Sequence, residues 1–264
     1  MIKLTIIVPI HNEKPYLRRC LNSINPPSSV EVILIDDGSA DGSTEIVKEY
    51  EDLPRHGFKV RTAYHRQPWG VALTRQHGIT MATGDFVTFL DSDDEYDKHA
   101  IARMLKAIEP KDAPDVIQFN HLRAYGSMNP VLRFDNREGF YTIDKLPDKW
   151  QTVWSKVYRR AFITENGIHF REGLQYGEDE LFNLECFRAC GQLYNSNEVT
   201  VVKHFDNPNS LCHTLNTSKL LGLTRALEDL IAEEDNPEDF TAALRRIIAE
   251  HWDSKTFRTF FGES

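Results

Sequence analysis

Phe86-Val87-Thr88-Phe89-Leu90-Asp91-Ser92-Asp93-Asp94 is a largely apolar run that ends in three carboxylates within four positions. A short β-rich run of this kind reads as a buried parallel strand. In open α/β sheets, ligands bind beyond the carboxyl ends of the strands. Side chains alternate along a strand, so Asp91 and Asp93 are expected on one face. Like charges that close are costly unless something positive lies between them. A divalent cation with oxygen ligands meets that need and can also hold phosphate oxygens. The plainer reading is a solvated Asp turn capping the next helix.

Upstream, strand and helix signals alternate. Residues 4–8 read as a strand, and Pro15 suits the first turn of a helix carrying Leu17, Cys20, Leu21 and Ile24 at helical spacing. Residues 30–35 form a second strand, followed by a helix marked by Ile46, Val47, Tyr50 and Leu53. A third strand is expected over 58–64, a helix over 71–81 and a fourth strand over 85–90. Asp97 reads as the N-cap of a helix with Ile101, Met104, Leu105 and Ile108 inward. This order predicts an α/β fold with a mostly parallel sheet flanked by helices.

The pattern changes after Pro110. A strand is expected over 116–119, hairpin or loop over 122–149, helices over 154–166 and 178–190, and a late strand over 199–205. Two amphipathic helices are expected over 216–231 and 238–252. The second opens on Asn236-Pro237-Glu238-Asp239, with cap, proline and first-turn acids in order. The chain is thus read as a body over 1–212 with a helical extension over 213–264.

The 264 residues carry a net charge of −9, which gives no whole-chain footprint for nucleic acid or an anionic membrane. Four cysteines do not make a disulfide scaffold in a chain of this length. Cys186, Cys190, Cys212 and His213 match no common zinc spacing, and buried thiols are the better reading. No secretory leader and no run of ~20 apolar residues is visible. The expected location is cytoplasmic, or peripheral to the inner face of a membrane; the late aromatics Trp252, Phe257, Phe260 and Phe261 could touch a membrane or a partner, but packing onto the core is the better reading.

Two further strand ends are polar. One is Val8-Pro9-Ile10-His11-Asn12-Glu13; the other is Ile35-Asp36-Asp37-Gly38-Ser39-Ala40-Asp41-Gly42-Ser43. In one parallel sheet such ends share an edge, and Gly38 and Gly42 permit tight turns. The chain has neither a Gly-x-Gly-x-x-Gly loop nor a Gly-x-x-x-x-Gly-Lys loop. Phosphates would therefore depend on a metal and on basic side chains, with Arg75 and Arg66 as candidates.

These segments, with Gly70-Val71-Ala72-Leu73-Thr74-Arg75-Gln76-His77-Gly78, come in an order and spacing that resembles glycosyltransferase family 2. The likeness continues through Trp154-Ser155-Lys156-Val157-Tyr158-Arg159-Arg160 and Gly177-Glu178-Asp179-Glu180-Leu181-Phe182, and covers about residues 3–212. It implies a GT-A fold and inverting transfer from a nucleoside-diphosphate sugar, commonly a UDP-sugar, with Mn²⁺ or Mg²⁺. By the same resemblance Pro9, Asn12 and Glu13 would border the nucleoside, and Asp37 with Gly38 would meet the base. Asp91 and Ser92 would lie by the ribose, and Asp93, closing the Asp-x-Asp motif, would bind the metal. Asp179, beside Glu178, would be the general base, and His204 a further metal or diphosphate contact. Pro68, Trp69 and Gln76 depart from the usual pattern near the sugar pocket.

Inverting transfer needs a carboxylate to take the acceptor's proton and a cation to meet the charge on the leaving diphosphate. The acceptor hydroxyl would lie on a glycan, a lipid-linked sugar or, less in keeping with the acidic charge, a modified nucleic-acid base. A catalytically silent sugar-nucleotide-binding module is the alternative from another class; its mark would be loss of Asp93 or Asp179, and both are present.

Overall fold

The computed structural model describes residues 1–208 apart from 54–56, 126–130, 133–136, 144, 148–149 and 175, together with Ala226 and Asp229. The elements run β1 (Leu4–Ile10), α1 (Lys14–Asn22), β2 (Val30–Asp36), α2 (Ser43–Asp52), β3 (Lys59–Tyr64), α3 (Val71–Met81) and β4 (Phe86–Phe89). They continue with β5 (Glu95–Tyr96), α4 (Ala100–Ala107), β6 (Val116–Ala124), β7 (Val131–Leu132), β8 (Gly139–Thr142), β9 (Lys156–Arg159), α5 (Arg160–Glu165), α6 (Glu178–Cys190) and β10 (Gln192–His204).

Among the described residues the strands form one sheet in the order β3-β2-β1-β4-β9-β6-β10-β5, with β7 on β6 and β8 on β10. Strands β3, β2, β1 and β4 are parallel, as are β6 and β10. Strand β9 runs antiparallel between β4 and β6. Two antiparallel steps restore direction, so β1, β2, β4, β6 and β10 all end on one edge. The amino end of β9 arrives at that same edge.

Alternation along the strands builds two cores. Ile6, Val8, Val32 and Leu34 pack with α1, α2 and α4 on one face. Ile7, Ile33, Ile35, Val87 and Phe89 pack with α3, α5 and α6 on the other. Gly78 lets α3 lie close on β1: a Cβ there would sit 2.3 Å from Ile7 Cγ2.

The helix expected over 154–166 is instead strand β9 followed by the short α5. Val157 joins one core and Tyr158 the other, both fully buried. That two-residue alternation is a strand's, and the gap between β4 and β6 holds it against local helical spacing. Helix α4 begins at Ala100 rather than beside Asp97, whose carboxylate accepts the His99 N–H at 3.3 Å and an Arg103 ion pair. The late strand starts earlier than expected, at Gln192. The boundary at 212, the helices over 216–231 (apart from Ala226 and Asp229) and 238–252, Cys212, His213 and the late aromatics lie outside the described residues.

Candidate functional site

The strand ends are laced together by short polar bonds. Asp37 N–H donates to Ile10 O at 2.7 Å, and His11 Nδ1 lies 2.7 Å from Asp37 O. Asn12, at φ 55°, accepts the Ala40 N–H on Oδ1 at 2.8 Å. Pro9 is buried within β1, opposite Ile35. Gly38 takes φ +67° where Gln67 and Pro68 come close; a Cβ would meet them at 3.0 Å.

Asp37 is not open to a ligand as expected. Its side chain is 4% exposed and accepts bonds from His65 Nδ1, Trp69 N–H and Gly70 N–H at 2.7, 2.8 and 2.9 Å. It fixes the 65–70 segment, on which Trp69 stacks over His65 at 3.7 Å while remaining exposed. His65 Nε2 lies 2.9 Å from His77 Nδ1, so Asp37, His65 and His77 form one chain beneath the indole.

Beyond β4, carboxylate oxygens of Asp91, Asp93 and Asp94 lie within 4.8 Å of one another. Ser92 is buried between them in sequence. Lys203, from the end of β10, lies 2.8 Å from Asp94, 3.3 Å from Asp91 and 3.8 Å from Asp93. Asn207 Nδ2 donates to Asp93 at 3.0 Å and to Glu13 at 3.2 Å. Lys203 was not anticipated, although Val202-Lys203-His204 ends a strand at the edge where the acids were placed. His204 turns elsewhere: its ring meets Glu95 at 3.1 Å, and only its backbone N–H reaches Asp94, at 2.8 Å. Its ring is therefore not part of the Asp91–Asp93–Asp94 group.

Arg75 also departs from expectation. It is buried and spent on carboxylates: Asp91 at 2.8 Å, Glu178 at 3.0 Å and Asp179 at 2.6 Å. It ties the β4 end to the first turn of α6 and is not free for a phosphate. Arg66 is exposed. The second oxygen of Asp179 accepts the Val153 N–H at 3.2 Å.

Burial and charge together decide how these groups titrate. Burial, then the Asp93 charge, pushes Glu13 up to about 7. Burial raises Asp94 to about 8 against the pull of Lys203, with Asp93 and Asp91 adding to the rise. Burial likewise raises Asp179 to about 7, opposed by Arg75 and assisted by Glu178 and Asp91. Asp91 goes the other way: Lys203 and Arg75 outweigh its burial and hold it below the usual range. Arg75 is shared by Asp91, Glu178 and Asp179 and Lys203 by Asp91, Asp93 and Asp94, while Arg19 lies near Asp94 and Lys156 near Asp179, so with Glu13 the six carboxylates outnumber these cations. A hard dication fits this excess of oxygen donors and negative charge. Asp93 is the farthest of the three aspartates from Lys203.

Residues 5–164 match the family model described as Glycosyl transferase family 2. The chain belongs to that family. Glycosyltransferase GlyG of Streptococcus pneumoniae is 33% identical over 192 residues, covering 67% of this chain and 62% of GlyG. The poly(ribitol-phosphate) beta-N-acetylglucosaminyltransferase TarS of Staphylococcus aureus is 26% identical over 254 residues, covering 95% of this chain and 40% of TarS. The chain therefore spans less than two thirds of the length of either. The crystal structure of TarS residues 1–349 in complex with UDP-GlcNAc superposes with a TM-score of 0.80 at 22% identity, covering all of this chain and 76% of that one. The fold of this family member is GT-A. Among the described residues no helix is long and apolar enough to cross a membrane.

Proposed function

We propose that the protein transfers a sugar from a UDP-sugar to an acceptor hydroxyl on a glycan or related surface polymer, with inversion at the anomeric carbon and with a divalent cation. One observation carries the reading: Arg75 joins the Asp91–Asp93–Asp94 group to the Glu178–Asp179 pair on a single sheet edge. The UDP-GlcNAc held by TarS and the polymer in that relative's name support the donor and acceptor classes.

In this reading Asp93, with Asp91 and Glu13 nearby, holds Mn²⁺ or Mg²⁺, which when bound offsets the charge of the diphosphate. Pro9, Asn12 and Gly38 border the nucleoside, and Asp37 sets the 65–70 segment beside it. Asp91 and Ser92 lie by the ribose. Lys203 keeps the three aspartates together at neutral pH. Asp179 receives the proton of the attacking hydroxyl at a carboxylate oxygen; a base whose proton affinity lies near neutrality is suited to that task. Glu178 keeps Arg75 in place beside it. Residues 1–212 would make the catalytic body and 213–264 a helical extension, in a protein that works in the cytoplasm or against the inner face of a membrane.

Calorimetry with UDP and other nucleoside diphosphates, with Mn²⁺ and after EDTA, tests the donor side. Tighter UDP binding with Mn²⁺, abolished in Asp93→Asn, is expected. Equal affinity after EDTA would overturn the metal role, and preference for another base would overturn UDP.

A further inference from the structure

Strand β9 runs against its neighbours, so its amino end brings the turn at residues 151–155 to the edge that carries Asp179. The Val153 N–H of this turn and Arg75 both bind the Asp179 carboxylate and orient it. What fixes the turn then fixes the carboxylate.

Two buried polar side chains hold the turn. Lys156 is 1% exposed in the middle of the sheet, paired in register with Gln118, and its carbonyl accepts the Thr88 hydroxyl at 2.8 Å. An aliphatic residue would fill such a position without the penalty of burying an ammonium group. Its Nζ reaches back to donate to Thr152 O, and its N–H donates to Val153 O at 3.1 Å. From the other side Asn183, also 1% exposed, donates through Nδ2 to Gln151 O and to Asp179 O, both at 2.9 Å. The Oδ1 of Asn183 in turn accepts the Tyr158 hydroxyl at 2.7 Å. The turn is pinned to β9 by Lys156 and to the first turn of α6 by Asn183.

We infer that Lys156 and Asn183 are positioning residues for Asp179, clamping the 151–155 turn so that its Val153 N–H holds the carboxylate toward the acceptor hydroxyl. This rests on Asp179 being the base. Lys156 has a second connection to it: burial pushes the lysine down to about 7, and the Asp179 charge is the first of the forces that pull it back up. The other groups facing Asp179 are Arg75 from α3, Glu178 from α6 and Asp91 from the end of β4. Cys186, on the Lys156 side, stays a neutral thiol because burial raises it. A cation removed from this surround favours the protonated carboxyl.

The test compares wild type, Lys156→Met, Tyr158→Phe and Asp179→Asn, all as the full chain. The Asp179 titration is followed by NMR on ¹³C-aspartate-labelled protein and assigned from the Asp179→Asn spectrum. Turnover is read as hydrolysis of UDP-GlcNAc or UDP-glucose, and nucleotide affinity with UDP. Lys156→Met is expected to move the Asp179 midpoint to higher pH and to lower turnover on the order of 10-fold or more, with UDP affinity unchanged. Tyr158→Phe removes only the hydroxyl that anchors Asn183 and should lower turnover in the same sense by less. Should Lys156→Met fail to fold, Tyr158→Phe decides alone. A folded Lys156→Met, or in its absence Tyr158→Phe, with wild-type turnover and an unmoved midpoint would overturn the inference. If Asp179→Asn were itself fully active, the reading of Asp179 as base would fail instead.

Discussion

The raised proton affinities at the sheet edge make stability depend on pH and on divalent cations in a direction that can be worked out. Glu13, Asp94 and Asp179 titrate at about 7, 8 and 7 in the folded protein, against about 4 in an unfolded chain. Between about pH 5 and 7 the native state therefore holds protons that the unfolded state has lost, and stability falls as pH rises. Each such proton is worth about 1.4 kcal/mol per pH unit. His77 and Lys156 are lowered by burial and act in the opposite sense. Taking one net proton over two pH units gives a loss of about 2.7 kcal/mol, or roughly 5–10 °C in Tm for a chain of this size. Mn²⁺ at a hundred times its Kd would return about 2.7 kcal/mol. It should do so at pH 7 and less at pH 5, because Glu13, beside Asp93, holds a proton there. Thermal melts at pH 5 and 7, in EDTA and in Mn²⁺, check this. A Tm in EDTA that is flat or rises from pH 5 to 7 would refute the charge argument. An equal Mn²⁺ effect at both pH values would refute the competition.

Asp179→Asn keeps the shape and removes the proton acceptor, so transfer should fall by about 10²–10⁴-fold with UDP affinity unchanged; NMR of the product should show inverted anomeric configuration. Arg75→Met leaves Asp91, Glu178 and Asp179 without their shared cation and should cost about 3–5 kcal/mol at pH 7 in urea melts, with a clearly smaller loss at pH 5. Gly78→Ala drives a methyl into Ile7 and should destabilise by about 1–3 kcal/mol; the loss should shrink in an Ile7→Ala background, and full additivity of the two would contradict the packing.

Most of the parallel half was legible because its signals are local. Strands β1 and β2 are wholly buried runs, and helix α3 spans the expected residues 71–81. Strand β9 was misread because Lys156-Val157-Tyr158-Arg159 is short, and a four-residue window does not separate the two periodicities. Its state is set by its two neighbours in the sheet, β4 and β6, both more than thirty residues upstream in sequence. At the site, the acids were legible because they follow their own strands directly. Their partners were not. Arg75 was read as a phosphate ligand because nothing local shows that α3 points it at Asp91, Glu178 and Asp179. Lys203 was passed over for His204 because adjacent residues on a strand face opposite ways and the sequence does not say which faces the acids.

Asp91 shows why the partners matter more than the acids themselves. One of its oxygens takes Arg75 and the other Lys203. Arg75 continues to Asp179 and Lys203 to Asp94. The side of the edge assigned to the nucleotide and the side assigned to the base are thus joined through a single carboxylate, the one of the group with a lowered proton affinity. A carboxylate that stays ionised while Asp94 and Asp179 hold protons is a fixed point for both cations. Shifting either cation alters the charge felt by both sides. A nucleoside diphosphate is itself an anion and meets an edge with more carboxylates than cations, so a bound dication and a bound diphosphate should favour each other. The strength of that linkage is reciprocal, and Asp91 is the residue through which it would reach Asp179.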